Sequence, residues 1–199
     1  MIYLKQLMNS ARARLRRVVC PLDEVCDTVP VGCSVFDLGC GTGAMLLELI
    51  RSRGVVVVGG CEVSRDTLRE AEIAVNKLSG QVGEFVADNE PPQCLSKYDC
   101  VTLIDVLHHI PKDIQEAYLA KLAKNMKSGS CLVLKDIDGS SVLVWFNRLH
   151  DAIFAGNGFQ EIPSAKAEAM LLSAGLHIEK SWKVRRLWYP HYFVVARKD

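Results

Sequence analysis

With 199 residues, 49% of them hydrophobic, the chain can bury one good-sized core but little of a second, so a single domain over 1–199 is expected. Its 24 lysines and arginines against 23 acids leave a formal charge of +1, which excludes a global field for nucleic acid or an acidic surface. No run of about eighteen uncharged apolar residues marks a membrane span, and eight cysteines without a C-x-x-C pair read as buried reduced thiols, which favours a cytoplasmic setting.

The first element expected is an amphipathic helix over 1–19, with Leu4, Leu7, Met8, Ala11, Leu15 and Val18 on one face. Lys5, Arg12, Arg14, Arg16 and Arg17 give it a basic face, and most of this charge follows the apolar residues, unlike a signal peptide. It is read as a lid or packing helix, with weak contact to an anionic membrane surface as the alternative.

Short apolar runs then alternate with amphipathic stretches: "SVFDLG", "AMLLELIRSRG", "VVVVGGCE", "RDTLREAEIAVNKLSG", "VGEFVAD". This is the strand, helix, strand pattern of a parallel sheet covered on both faces. "YDCVTLIDVL" adds a fourth strand, and Pro111 opens a helix that runs to Gly129. "SCLVLKDID" is a fifth strand, and 141–160 reads as a helical insertion over the sheet's carboxyl edge. After a helix at "SAKAEAMLLSAG", the strands "LHIEKSWKVRR" and "HYFVVARK" flank a turn at "LWYP" and pair as a hairpin. The expected fold is α/β and doubly wound: a mostly parallel seven-stranded sheet with an antiparallel last strand and helices on both faces.

"FDLGCGTG" places Gly39, Gly41 and Gly43 in the turn behind the first strand, where such sheets bind ligands. Glycine there lets a ligand touch the main chain, and free N–H groups at the following helix attract a polar group, so the loop is read as a cradle for a nucleotide-like molecule. Acids close the neighbouring strands. Glu62 can accept both hydroxyls of a ribose and Asp88 an adenine amino group, while Asp37 and Asp105 close the first and fourth strands. Together with "LIDVLHHI", these motifs resemble the class I S-adenosylmethionine-dependent methyltransferases, over about residues 33–135. The resemblance implies S-adenosylmethionine as cofactor. It puts Asp37, Gly39, Gly41 and Gly43 around its methionine and ribose, Glu62 on the ribose hydroxyls, Asp88 and Asn89 near the adenine, and Asp105 beside the methionine.

A nicotinamide dinucleotide is disfavoured, because Asp37 would face its pyrophosphate and because no tyrosine has a lysine four residues later. The loop "NEPP" at 89–92 follows the third strand, and Gln93 stands where an amino-group methyltransferase would carry an aromatic.

If the acceptor is a hydroxyl or a protonated amine, a base must take its proton, and either His108 or His109 behind the fourth strand can serve. Asp136 and Asp138 end the fifth strand, and Arg148, His150 and Asp151 fall within one helical turn. No ligand set of the His-x-x-x-His kind occurs, so no metal is expected. Nine of the fourteen aromatics follow residue 140, which suits an apolar acceptor pocket with Tyr189 and His191 at its rim and Asp138 and His150 beside it. The activity expected is methyl transfer to a small molecule or lipid intermediate. A noncatalytic cofactor-binding scaffold and, with less support, a nucleic-acid methyltransferase are the alternatives.

Overall fold

The computed structural model describes residues 19–78, 82–140 and 160–199. Residues 1–18 and 141–159, on which the expected N-terminal helix and the insertion with His150 fall, lie outside the described residues.

The elements in chain order are α1 (Leu22–Thr28), β1 (Ser34–Leu38), α2 (Ala44–Arg53), β2 (Val57–Cys61), α3 (Arg65–Leu78), β3 (Val82–Val86), β4 (Cys100–Ile104), α4 (Gln115–Asn125), β5 (Cys131–Ile137), α5 (Ser164–Ser173), β6 (Leu176–Arg186) and β7 (Tyr189–Lys198). The strands form one seven-stranded sheet in the order β3-β2-β1-β4-β5-β7-β6. Strands β1 to β5 are parallel, and β7 runs antiparallel to both β5 and β6.

Side chains alternate across a strand, so each interior strand feeds two cores. Phe36, Leu103, Leu134 and Val194 pack against Leu119 and Leu122 of α4 and Met170 of α5. Val35, Cys100, Val133 and Phe193 pack against Val25 of α1, Leu46 and Leu49 of α2, and Ala71 of α3. Burial on both faces is why β1, β4 and β5 read as continuous apolar runs rather than alternating ones.

Two boundaries differ from the sequence reading. Pro111 opens a turn closed by Ile114 N–H on its carbonyl at 3.0 Å, and α4 starts only at Gln115. The terminal hairpin turns at Leu187 and Trp188 alone, because Tyr189 and Pro190 already pair with Arg186 and Arg185. The helix α1, only seven residues long, is too short for its periodicity to stand out in sequence. Among the described residues no helix is long and apolar enough to cross a membrane.

Candidate functional site

β1 sits between β2 and β4, so the chain leaves its carboxyl end toward one side of the sheet and returns on the other. A cavity of about 580 Å³ opens above this point and runs along the carboxyl ends of the strands.

Its wall starts at the first turn. Gly39 has φ 73°, and a Cβ there would lie 2.5 Å from Val106 Cγ2, so only glycine lets the loops after β1 and β4 meet. Gly43 serves a different purpose. It caps α2 at φ 80°, and a Cβ would come 3.2 Å from the Ala71 backbone, so its place is the α2–α3 contact and not the cavity wall. Gly41 lines the cavity, and its N–H donates to Glu62 Oε2 at 3.2 Å while Ser64 N–H donates to Oε1 at 3.2 Å. Two main-chain donors thus fix the Glu62 carboxylate before any ligand arrives. Asp88 and Asn89 continue the wall from β3, with Asp88 Oδ1 accepting from Glu90 N–H at 3.1 Å.

Asp37 is absent from this wall. It is buried beneath it, opposite Thr102 in the β1–β4 register, and accepts from the Thr102 hydroxyl at 2.7 Å. Cys61 does line the cavity, but burial pushes its thiol up to about 12, which keeps it protonated and weakly nucleophilic.

Beyond β4 the wall is built from two polar pairs that alternation sends to opposite faces of β5. Lys135 shares a face with Val133 and is fully buried, its Nζ 2.5 Å from Asp105 Oδ1. Burial alone would push the ammonium's pKa down, but the Asp105 carboxylate outweighs it and holds it above the ordinary lysine value. Asp105 adopts φ 58°, a conformation asparagine and aspartate tolerate best after glycine. Its other oxygen accepts from the Cys20 thiol at 3.4 Å.

On the other face, Asp136 takes His108 from two directions. Its Oδ1 lies 2.5 Å from His108 Nδ1 and its Oδ2 accepts the His108 main-chain N–H at 3.1 Å. A carboxylate only accepts, so Nδ1 carries the hydrogen. His109 lines the cavity beside it, more exposed, with ring centroids 4.0 Å apart. Gln115 secures the turn holding both: fully buried, its amide nitrogen reaches the carbonyls of Leu107 (3.0 Å), Ile110 (2.9 Å) and Gln160 (2.9 Å).

Of the remaining residues singled out in sequence, Tyr189 and His191 line the far end of the cavity. Asp138 does not: its buried carboxylate accepts from Ser140 at 2.7 Å and pairs with Lys183 at 2.6 Å, so these partners occupy it away from the wall. Lys135, Cys20 and Gln115 carry no sequence expectation at the site, and Asp136 figures in the sequence reading only as a strand-end acid weighed as a metal ligand. For Lys135 a signal existed, since a lysine within the apolar run "CLVLKDI" must find a counter-ion when the strand is buried.

Asp105, His108 and Asp136 offer ligand atoms within 4.8 Å of one another. The Asp105 carboxylate, however, is already paired with the Lys135 ammonium, which supplies compensating charge.

Comparison with known proteins follows the same lines. A family model described as "Methyltransferase domain" matches residues 6–181. The ubiquinone biosynthesis O-methyltransferase of Candida albicans is 29% identical over 119 residues, covering 58% of this chain and 36% of that protein. The carboxy-S-adenosyl-L-methionine synthase of Colwellia psychrerythraea is 24% identical over 163 residues, 74% of this chain and 64% of that one. The chain thus spans less than two thirds of the length of these curated relatives. The magnesium protoporphyrin IX methyltransferase of Synechocystis, solved with bound SAH, superposes with a TM-score of 0.67 at 20% identity, covering 89% of this chain and 82% of the other.

Proposed function

The chain belongs to the methyltransferase domain family, and from that premise we propose that it transfers the methyl group of S-adenosylmethionine to a small molecule whose reacting group must lose a proton. The observation that carries this reading is the division of one cavity into two chemistries. Around β1, β2 and β3 it offers a side-chain-free turn at Gly39 and Gly41 with Glu62, Asp88 and Asn89; around β4 and β5 it offers the His108–Asp136 pair.

The first part fits the cofactor. Gly39 and Gly41 leave room for its amino-acid portion against the main chain, the fixed Glu62 carboxylate offers two acceptors to ribose hydroxyls, and Asp88 with Asn89 stand where the adenine would lie. Asp37, buried below, adds negative charge under a ligand that carries an ammonium and a sulfonium. When bound, S-adenosylmethionine supplies an electrophilic methyl group on positively charged sulfur.

The chain's own chemistry is then proton removal and positioning. His108 Nε2 takes the proton of the acceptor's hydroxyl or ammonium, while Asp136 fixes the tautomer and stabilises the imidazolium that results. The Gln115 clamp holds the 107–110 turn from which His108 lines the cavity. A cytoplasmic setting suits this reading, since none of the eight cysteines forms a disulfide.

Two measurements test it. S-adenosylhomocysteine is expected to raise the melting temperature of the protein, and no rise at millimolar ligand would refute the cofactor assignment. His108→Gln is expected to lower turnover on the order of 10² to 10⁴-fold with cofactor affinity kept. Binding without turnover of any acceptor by the parent would instead favour a noncatalytic cofactor-binding protein.

A further inference from the structure

β7 runs antiparallel to β5 with His191 opposite Ile137, so the imidazole stands at the rim of the sheet and lines the cavity next to Tyr189. The Tyr189 ring lies nearly parallel to it, with centroids 6.2 Å apart. His191 Nε2 is 2.7 Å from the Val19 carbonyl oxygen. A carbonyl can only accept, so Nε2 carries the hydrogen. Burial and the nearby Lys135 ammonium push the group's pKa down to about 4, so the ring is neutral near pH 7 and Nδ1 bears a bare lone pair. Among the described residues that nitrogen finds no hydrogen-bond partner, and it is buried on a residue only 2% exposed.

A buried acceptor left without a donor is costly and uncommon in folded proteins. On a cavity wall it is accounted for when a ligand brings the donor. The strand order says which ligand. β7 lies three strands from β1, about 14 Å at the usual interstrand spacing, and Glu62 and Asp88 end strands on the opposite side of β1. The ribose and adenine of the cofactor therefore do not reach His191, which faces the part of the cavity at the ends of β5 and β7.

We propose that His191 is a specificity-determining residue whose bare Nδ1 receives a hydroxyl or amino hydrogen that the acceptor carries in addition to the group that is methylated. The inference rests on the methyl-transfer reading and narrows its substrate class to bifunctional acceptors, with one donor presented to His108 and a second to His191. The flat Tyr189 ring and Ile137 flank the second donor with apolar surface, which suits a ring or short carbon skeleton between the two groups.

The first test needs no acceptor. Nitrogen-15 NMR of histidine-labelled protein at pH 7 is expected to show His191 neutral, protonated at Nε2 and bare at Nδ1; a hydrogen on Nδ1 overturns the proposal. The second uses methyl-deuterated S-adenosylmethionine with a panel of dihydroxylated aromatic acids and amino alcohols, each beside its analogue lacking one donor, read by mass spectrometry. The parent protein is expected to favour the two-donor member about 10- to 100-fold in kcat/KM. In His191→Gln, whose amide can still donate to the Val19 carbonyl but offers no acceptor at the Nδ1 position, that preference is expected to fall toward one with S-adenosylhomocysteine affinity unchanged. Equal rates for both members in the parent, an undiminished preference in the variant, or no turnover of any panel member by a parent that binds S-adenosylhomocysteine each overturn it. A parent that does not bind S-adenosylhomocysteine contradicts the methyl-transfer reading itself.

Discussion

Lys135 ends inside the rim of the sheet with no solvent exposure, and its ammonium pairs there with Asp105, whose side chain is 21% exposed. A buried pair gains little over an apolar pair of the same shape, but removing one member strands the other. Lys135→Met takes the counter-ion away from a carboxylate that faces Cys20 and an apolar strand end, and is expected to cost about 3 kcal/mol of stability in urea unfolding. Adding Asp105→Asn is expected to recover most of that loss; a double variant as unstable as the single one would show that the lysine matters through its packing. The same pair shows what one residue can disclose in sequence. The lysine in an apolar run announces a buried charge, but its partner lies 30 positions away on another strand, and only the β4–β5 register, with Ile104 opposite Lys135, makes Asp105 the neighbour.

At the level of elements, the strands and helices were legible because each interior strand is buried on both faces and crossover helices are amphipathic, as in α3, where Leu68, Ala71 and Val75 recur at three and four. The acids and glycines at strand ends were legible for a related reason: a parallel sheet sends every strand's carboxyl end to one rim, so position along the strand suffices to gather them. What stayed hidden depends on contacts between elements. Asp37 and Asp138 are strand-end acids like Glu62, yet Thr102 and Lys183 engage them outside the cavity wall. Gln115 at the start of α4 is a polar residue in a first turn, and nothing in its sequence context separates a solvated glutamine from one that binds three carbonyls. Gln115→Leu is expected to leave the carbonyls of Leu107, Ile110 and Gln160 without this donor and to cost about 2 kcal/mol. Because the turn it clamps is closed by His109 N–H on Val106 O and Ile110 N–H on Leu107 O, those two amides are expected to lose hydrogen-exchange protection more than amides in β4. Uniform loss across the molecule would mean that Gln115 supports the fold at large and not the histidine turn.

For the whole molecule, acid sensitivity separates into two windows set by which groups are perturbed. Asp99, where Lys127 and Ser34 stabilise the carboxylate, has its pKa lowered to about 2, so its contribution is present above its ordinary value near 3.8 and is lost as pH falls toward 2. About half of that side chain is exposed, which makes the contribution small. His191 acts at higher pH and with the neutral form favoured. Burial first and the Lys135 charge second lower its pKa from 6.5 to about 4, while Asp105 and Asp136 pull weakly the other way. Above 6.5 the ring is neutral in both folded and unfolded chains and pH does not matter; between 6.5 and 4 the unfolded chain binds a proton that the folded one refuses, so stability falls as pH falls. The span corresponds to a loss on the order of 3 kcal/mol at pH 4. His191→Phe, which cannot titrate, is expected to flatten the stability profile between pH 6.5 and 4 while leaving the smaller decline below 3.8 in place. Urea midpoints measured across this range check it, and a variant whose slope between 6.5 and 4 matches the parent's would show that His191 is not the group that refuses the proton.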